Sequence, residues 1–121
     1  MILLPRAVRV YVATQPTNLH LSFDGLSNLV REVLRHDPLS GHLFLFLNRR
    51  RSQVKLLLWT RGGFTVVHKR LERGTFAFAR HVDPAVTSVP IDAHELALLL
   101  EGIVLVRART SARWEPAASG R

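Results

Sequence analysis

At 121 residues, with 17 Lys or Arg against 9 Asp or Glu and a net charge of +8, the chain has the length of one domain, which buries roughly two-thirds of the surface its unfolded form exposes. Hydrophobic residues make up 47% and charged residues 21%, too apolar a mixture for a disordered polycation. The lack of cysteine excludes a disulfide framework, zinc fingers and ribbons and a cysteine nucleophile, and it fits a reducing, cytoplasmic setting.

The first apolar run, Met1 to Leu4, is stopped by Pro5 and Arg6, well short of a signal-peptide core. Val54 to Trp59, the longest later run, is interrupted by Lys55, so no membrane span of roughly 18 apolar residues is expected. Val8, Val10 and Val12 alternate with Arg9, Tyr11 and Ala13, the period-2 pattern of a strand with one buried face. Pro16, Thr17 and Asn18 break it. From Ser22 to His36 the period becomes helical, with Phe23, Leu26, Val30, Val33 and Leu34 on one stripe and Arg31, Glu32 and Arg35 off it. Asp37-Pro38 ends this amphipathic helix, because a residue before proline is pushed out of the α region.

Leu43 to Leu47, Val54 to Trp59 and Phe64 to Val67 are short apolar runs that read as three central strands of a meander. Asn48 to Gln53, with its triple Arg, joins the first two; Thr60-Arg61-Gly62-Gly63 supplies a tight hairpin for the next pair. Pairing Trp59 with Phe64 puts Leu57 and Val66 on one face and Leu56, Leu58 and Val67 on the other. Both faces are apolar. The first helix covers one, and the other needs a second layer, either the carboxy-terminal helix or another subunit.

Thr75 to Ala79 and Val86 to Val89 are candidate short strands. Asp92-Ala93-His94-Glu95 has the spacing of a capping box, and Leu96, Leu99, Leu100 and Ile103 continue an apolar stripe to a C-cap near Gly102. The expected fold is therefore α+β: an antiparallel β-meander sheet of about four to six strands, with an amphipathic helix after the first strand and a carboxy-terminal helix. Residues 1–106 form one such domain and residues 107–121 a basic, flexible tail.

The charge is not spread evenly. Arg49, Arg50, Arg51, Lys55, Arg61, Lys69, Arg70, Arg73 and Arg80 face the single acid Glu72 within residues 49–80, so the whole net excess lies in this segment. Such concentration is the footprint of a polyanion partner, although a solvated face or an Arg-rich coding bias gives the same count. Following the meander up and down places Arg49, Arg50, Arg51, Lys55, Lys69, Arg70 and Arg73 along one rim of the sheet. Arg61 goes to the opposite rim and Arg80 has no assigned place.

Several motifs occur in a telling order: Gln15-Pro16-Thr17, Ser22-Phe23-Asp24-Gly25-Leu26, Asp37-Pro38-Leu39-Ser40-Gly41-His42-Leu43-Phe44, Asn48-Arg49-Arg50-Arg51, Lys55-Leu56-Leu57, Gly63-Phe64, Lys69-Arg70-Leu71-Glu72-Arg73-Gly74 and Leu99-Leu100-Glu101-Gly102-Ile103. Together, over roughly residues 1–104, the chain resembles the TnpB accessory protein of the insertion-sequence-sixty-six group of bacterial transposable elements. An unrelated RNA-guided nuclease shares that name. The resemblance implies a small protein encoded beside a separate DDE-type transposase and needed for efficient transposition. Asn18, Leu19, His20 and Leu21 depart from the charged residues usual in the family after Pro16-Thr17, with two positive charges and one acid lost.

Catalysis is not expected. Asp24 follows the start of a helix, Asp37 precedes Pro38 and Asp92 is an N-cap, so each has a local task; Asp83 is the remaining aspartate weighed as a metal ligand. His20, His36, His42, His68, His81 and His94 show no paired metal-ligand spacing, and there is no Gly-x-Ser-x-Gly elbow. No cofactor or metal is expected. The favoured mechanism is binding, with Arg49, Arg50 and Arg51 on a mobile loop and Lys55, Lys69, Arg70 and Arg73 nearby neutralising DNA phosphates. Asn48 is either an adenine reader or a loop former, and Trp59 and Phe64 are either stacking platforms or core. The expected partners are DNA and the transposase of the same element, with a second copy of the chain as a further candidate and no membrane partner. In the competing reading the chain is a scaffold subunit that binds the transposase through an apolar sheet face and never contacts DNA.

Overall fold

The computed structural model describes residues 8–76, 78–79, 83–101 and 105–106. Strand β1 (Val10–Ala13) buries Val10 and Val12 and leaves Tyr11 and Ala13 half-buried, as its alternation requires. Helix α1 (Phe23–Glu32) is shorter than the expected Ser22–His36. Arg35 takes φ +60° and the His36 N–H turns back to the Val30 carbonyl at 3.0 Å, so the chain has left the helix before Asp37-Pro38 is reached. Leu26, Val30 and Leu34 form the buried stripe, whereas Phe23 and Val33 are exposed. Phe23 is the first residue of this helix of under three turns and Val33 is its C-cap.

Strands β2 (Leu43–Leu47), β3 (Gln53–Thr60) and β4 (Gly63–Arg70) run antiparallel, with Trp59 opposite Phe64 and Leu57 opposite Val66. The meander extends no further. Strand β1 pairs with β2 in parallel, because α1 fills their connection and returns the chain to the same end before β2 begins. β5 (Phe78–Ala79) is a two-residue strand, and β6 (Ser88–Ile91) pairs antiparallel with the other side of β1. Sheet order is β4-β3-β2-β1-β6, so β4 is an edge strand and not a central one, which explains its mostly exposed residues. Pro90 is tolerated because β6 is the opposite edge. After α2 (Ala93–Leu100), strand β7 (Leu105–Val106) pairs in parallel with β5 in a separate small sheet.

The capping box forms as expected. The Glu95 N–H donates to Asp92 Oδ1 at 2.7 Å, and the Asp92 N–H donates to Glu95 Oε1 at 3.0 Å. Leu96 and Leu99 of α2, with Phe76, bury Val10, Val12, Leu43, Leu45, Val54 and Leu56; Leu26, Val30 and Leu34 of α1 bury Phe44, Phe46 and Leu57 on the other face. The second layer is thus the carboxy-terminal helix. Eight residues make a rod of about 12 Å, shorter than the ~19 Å width of five strands, and Val67 on β4 stays exposed on that face. No helix among the described residues is long and apolar enough to cross a membrane. Gly102, Arg80 and residues 107–121 lie outside the described residues.

Candidate nucleic-acid interface

The loop after β2, the start of β3, the end of β4 and the segment beyond it meet at one end of the sheet. Two main-chain bonds join them: Leu71 N–H to the Ser52 carbonyl at 2.9 Å and Phe76 N–H to the Arg51 carbonyl at 2.7 Å. The Arg loop is a hydrogen-bonded turn. Asn48 Oδ1 accepts from the Ser52 N–H at 2.9 Å and the Gln53 N–H at 3.0 Å, and its Nδ2 donates to Ser52 Oγ at 3.1 Å. That commits the Asn48 side chain to forming the loop. Arg51 adopts φ +59° to close the turn, and Arg49, Arg50 and Arg51 all project exposed from it.

All seven expected cations share this end of the sheet, but they do not form one surface. Period-2 alternation turns Lys55 and Arg70 toward the α1 side and Lys69 toward the α2 side. Lys55 Nζ donates to the Leu21 carbonyl at 2.8 Å, tying the segment before α1 to the sheet. Lys69 Nζ donates to the Leu100 carbonyl at the carboxy-terminal end of α2, where a cation suits the helix dipole. Arg70 pairs with Glu72 at 3.5 Å, both highly exposed, and Arg73 is exposed just beyond. Lys55 and Lys69 therefore have structural tasks. We expect Lys69→Met to lower stability by about 0.5–1 kcal/mol in chemical denaturation while leaving any DNA affinity within about twofold; a tenfold affinity loss with unchanged stability would contradict this assignment.

Beside the Arg loop lies a cleft of about 550 Å³ between residues 16–20 and 48–53, lined by Asn18, His20, Asn48, Arg49, Arg50, Gln53 and His68 among others. None of its lining residues is an acid. His20 and His68 were not among the expected site residues. The signal for His68 was present, since in the Trp59–Phe64 register it falls opposite Lys55 and so at the basic rim. His20 sits in the loop between β1 and α1, whose path no spacing in the sequence fixes. The departure at Asn18 to Leu21 has a structural meaning: Asn18, Leu19 and His20 line this cleft, and Leu19 and Leu21 pack against the α1 core.

The other candidates fall elsewhere. Trp59 and Phe64 stack edge-to-face at 4.9 Å at the end of the sheet opposite the Arg loop, beside Arg61, and Phe64 packs against the α1 core. His36, with its ring centroid 4.1 Å from that of Tyr11, has its pKa pushed below the usual histidine value by burial and secondarily by His42. Asp37 and Asp83 accept backbone N–H bonds from Leu39 and Ala85 in turns, and no cluster of three or more potential metal ligands occurs among the described residues.

The family model described as IS66 Orf2 like protein matches residues 8–110. The chain belongs to the IS66 Orf2 like protein family. Two curated relatives come from Sinorhizobium fredii (strain NBRC 101917 / NGR234). The uncharacterized protein y4hO is 38% identical over 97 residues, covering 79% of this chain and 81% of the relative. The uncharacterized protein y4jC is 33% identical over 104 residues, covering 86% of each. No solved structure matches the chain. Membership in the IS66 Orf2 like family supports an accessory role in insertion-sequence transposition, and it is not a known catalytic family.

Proposed function

We propose that the protein is a non-catalytic, cytoplasmic accessory factor of insertion-sequence transposition that binds DNA through the arginines at one rim of its sheet. The observation that carries this reading is the pinned loop from which Arg49, Arg50 and Arg51 project into solvent beside Arg70 and Arg73, with Glu72 the lone acid in residues 49–80. A hydrogen-bonded loop that already presents its arginines outward has less backbone entropy to lose on binding than an unstructured one, and the electrostatic term dominates DNA affinity. With Lys55 and Lys69 committed to main-chain carbonyls, four or five arginines remain to touch phosphates.

The expected result is binding to duplex element ends that weakens with salt, with a log–log slope of about −4. Gel-shift titrations with element ends and random duplex at several salt concentrations measure it, and an absence of binding at low salt would sink the DNA reading. The transposase-scaffold alternative required an apolar sheet face left open. Leu96, Leu99 and Phe76 occupy most of that face, which favours the DNA reading over it.

A further inference from the structure

We propose that the rim takes an unpaired DNA strand in preference to an intact duplex. This rests on the DNA-binding reading and narrows it to one form of the ligand. Three clefts share walls along the rim: the central one beside Arg49 and Arg50, one toward β1 and β6 reached past Pro16 and Asn48, and one toward β4 reached past Gln53 and His68. We read the three in series as one trench along the strand ends from β6 to β4, where five strands at the usual spacing span about 19 Å. That length holds roughly three to six nucleotides, depending on whether the strand is extended or stacked at about 3.4 Å per step.

Arg49, Arg50, His20 and His68 stand among neutral polar and aliphatic residues in these walls, and the carboxylate of Glu72, at the β4 end, is paired with Arg70. A duplex presents its bases only through its grooves, to an element that protrudes into them, and against this rim it would meet the arginines through its phosphates alone. An unpaired strand can enter. Its bases can then lie against imidazole rings and guanidinium planes, which are stacking surfaces for splayed bases. His20 and His68 line the central cleft, and a 2.8 Å contact between His68 Nε2 and Gln53 Oε1 orients the His68 ring. Trp59 and Phe64, the stronger stacking residues, are paired with each other at the far end of the sheet, so the two histidines and the arginines are the stacking groups that the rim itself offers.

The test is fluorescence anisotropy of the full chain with a labelled 12-nucleotide single strand and with the 12-base-pair duplex of the same sequence, at one salt concentration. The single strand should bind at least about tenfold more tightly. A His20→Ala/His68→Ala double variant, both positions being exposed, should keep its melting temperature and lose about fivefold or more in single-strand affinity, with duplex affinity changed less than about twofold. Equal affinity for the two forms, or a double variant that weakens both alike, overturns this inference and leaves the DNA-binding reading standing. Binding to neither form overturns both.

Discussion

Reversing two charges, as Arg49→Glu/Arg50→Glu, is expected to lower DNA affinity at least about a hundredfold and to make the salt slope shallower by about two. Both side chains are exposed, and neither makes a hydrogen bond or ion pair among the described residues. Two phosphate contacts vanish and two repulsions replace them, while the loop keeps its own bonds, because those run through Asn48, Ser52 and Gln53. Arg51 is left unchanged in this variant: its φ of +59° and its bonds to the Asn48 carbonyl and the Phe76 N–H make it part of the turn. Thermal unfolding should therefore be the same for variant and parent to within a few degrees. Anisotropy titrations at several salt concentrations give the affinity and the slope together. If both were unchanged in a folded variant, the rim would not be the DNA surface.

The largest stability effect is expected at Phe44. It is fully buried in β2, two strands in from the β4 edge, beneath Leu26 and Val30 of α1 and next to Leu57, with its ring stacked on Tyr11 at 5.8 Å and 16°. Phe44→Ala removes a whole ring from a site closed on both sides by strands and above by a helix, so the surroundings can collapse only partly. The cost should be about 3–5 kcal/mol, a large share of the roughly 5–15 kcal/mol that holds a domain of this size together. Val67→Ala, an apolar truncation at the exposed edge strand, should cost less than about 0.5 kcal/mol. Urea denaturation of both variants compares them directly, and equal costs would show that the α1-side core is not where stability resides.

The contrast between Phe44 and Val67 also marks what could be read from residues alone. The runs Leu43–Leu47, Val54–Trp59 and Phe64–Val67 announced three strands, and the Trp59–Phe64 register follows from the hairpin turn, because a tight turn fixes which residues face each other. The capping box at Asp92 was equally local, since both of its hydrogen bonds lie within four residues. The rank order of burial was not legible. Val67 is as apolar as its neighbours, and only the place of β4 at the sheet edge, beyond the reach of an eight-residue α2, leaves it in water. Phe23 and Val33 obey the helical period and are exposed at the two ends of α1, as period says which face a residue takes but not whether anything lies beneath it.

For the site, the sequence by itself determined that all the excess charge lies within residues 49–80 and that seven of its cations come to one end of the sheet. That much follows from counting charges and from the obligatory reversal of direction at each hairpin. Only the tertiary structure decided which of the seven stay available. Lys55 and Lys69 are drawn to the carbonyls of Leu21 and Leu100, 34 and 31 residues away, and no local pattern encodes a bond to so distant a segment. The loop 16–20, brought alongside the Arg loop because β1 pairs in parallel with β2, likewise adds His20 to a cleft that neither segment forms alone. Net charge is a sum over residues and survives any folding; the surface that presents it depends on which strands end side by side.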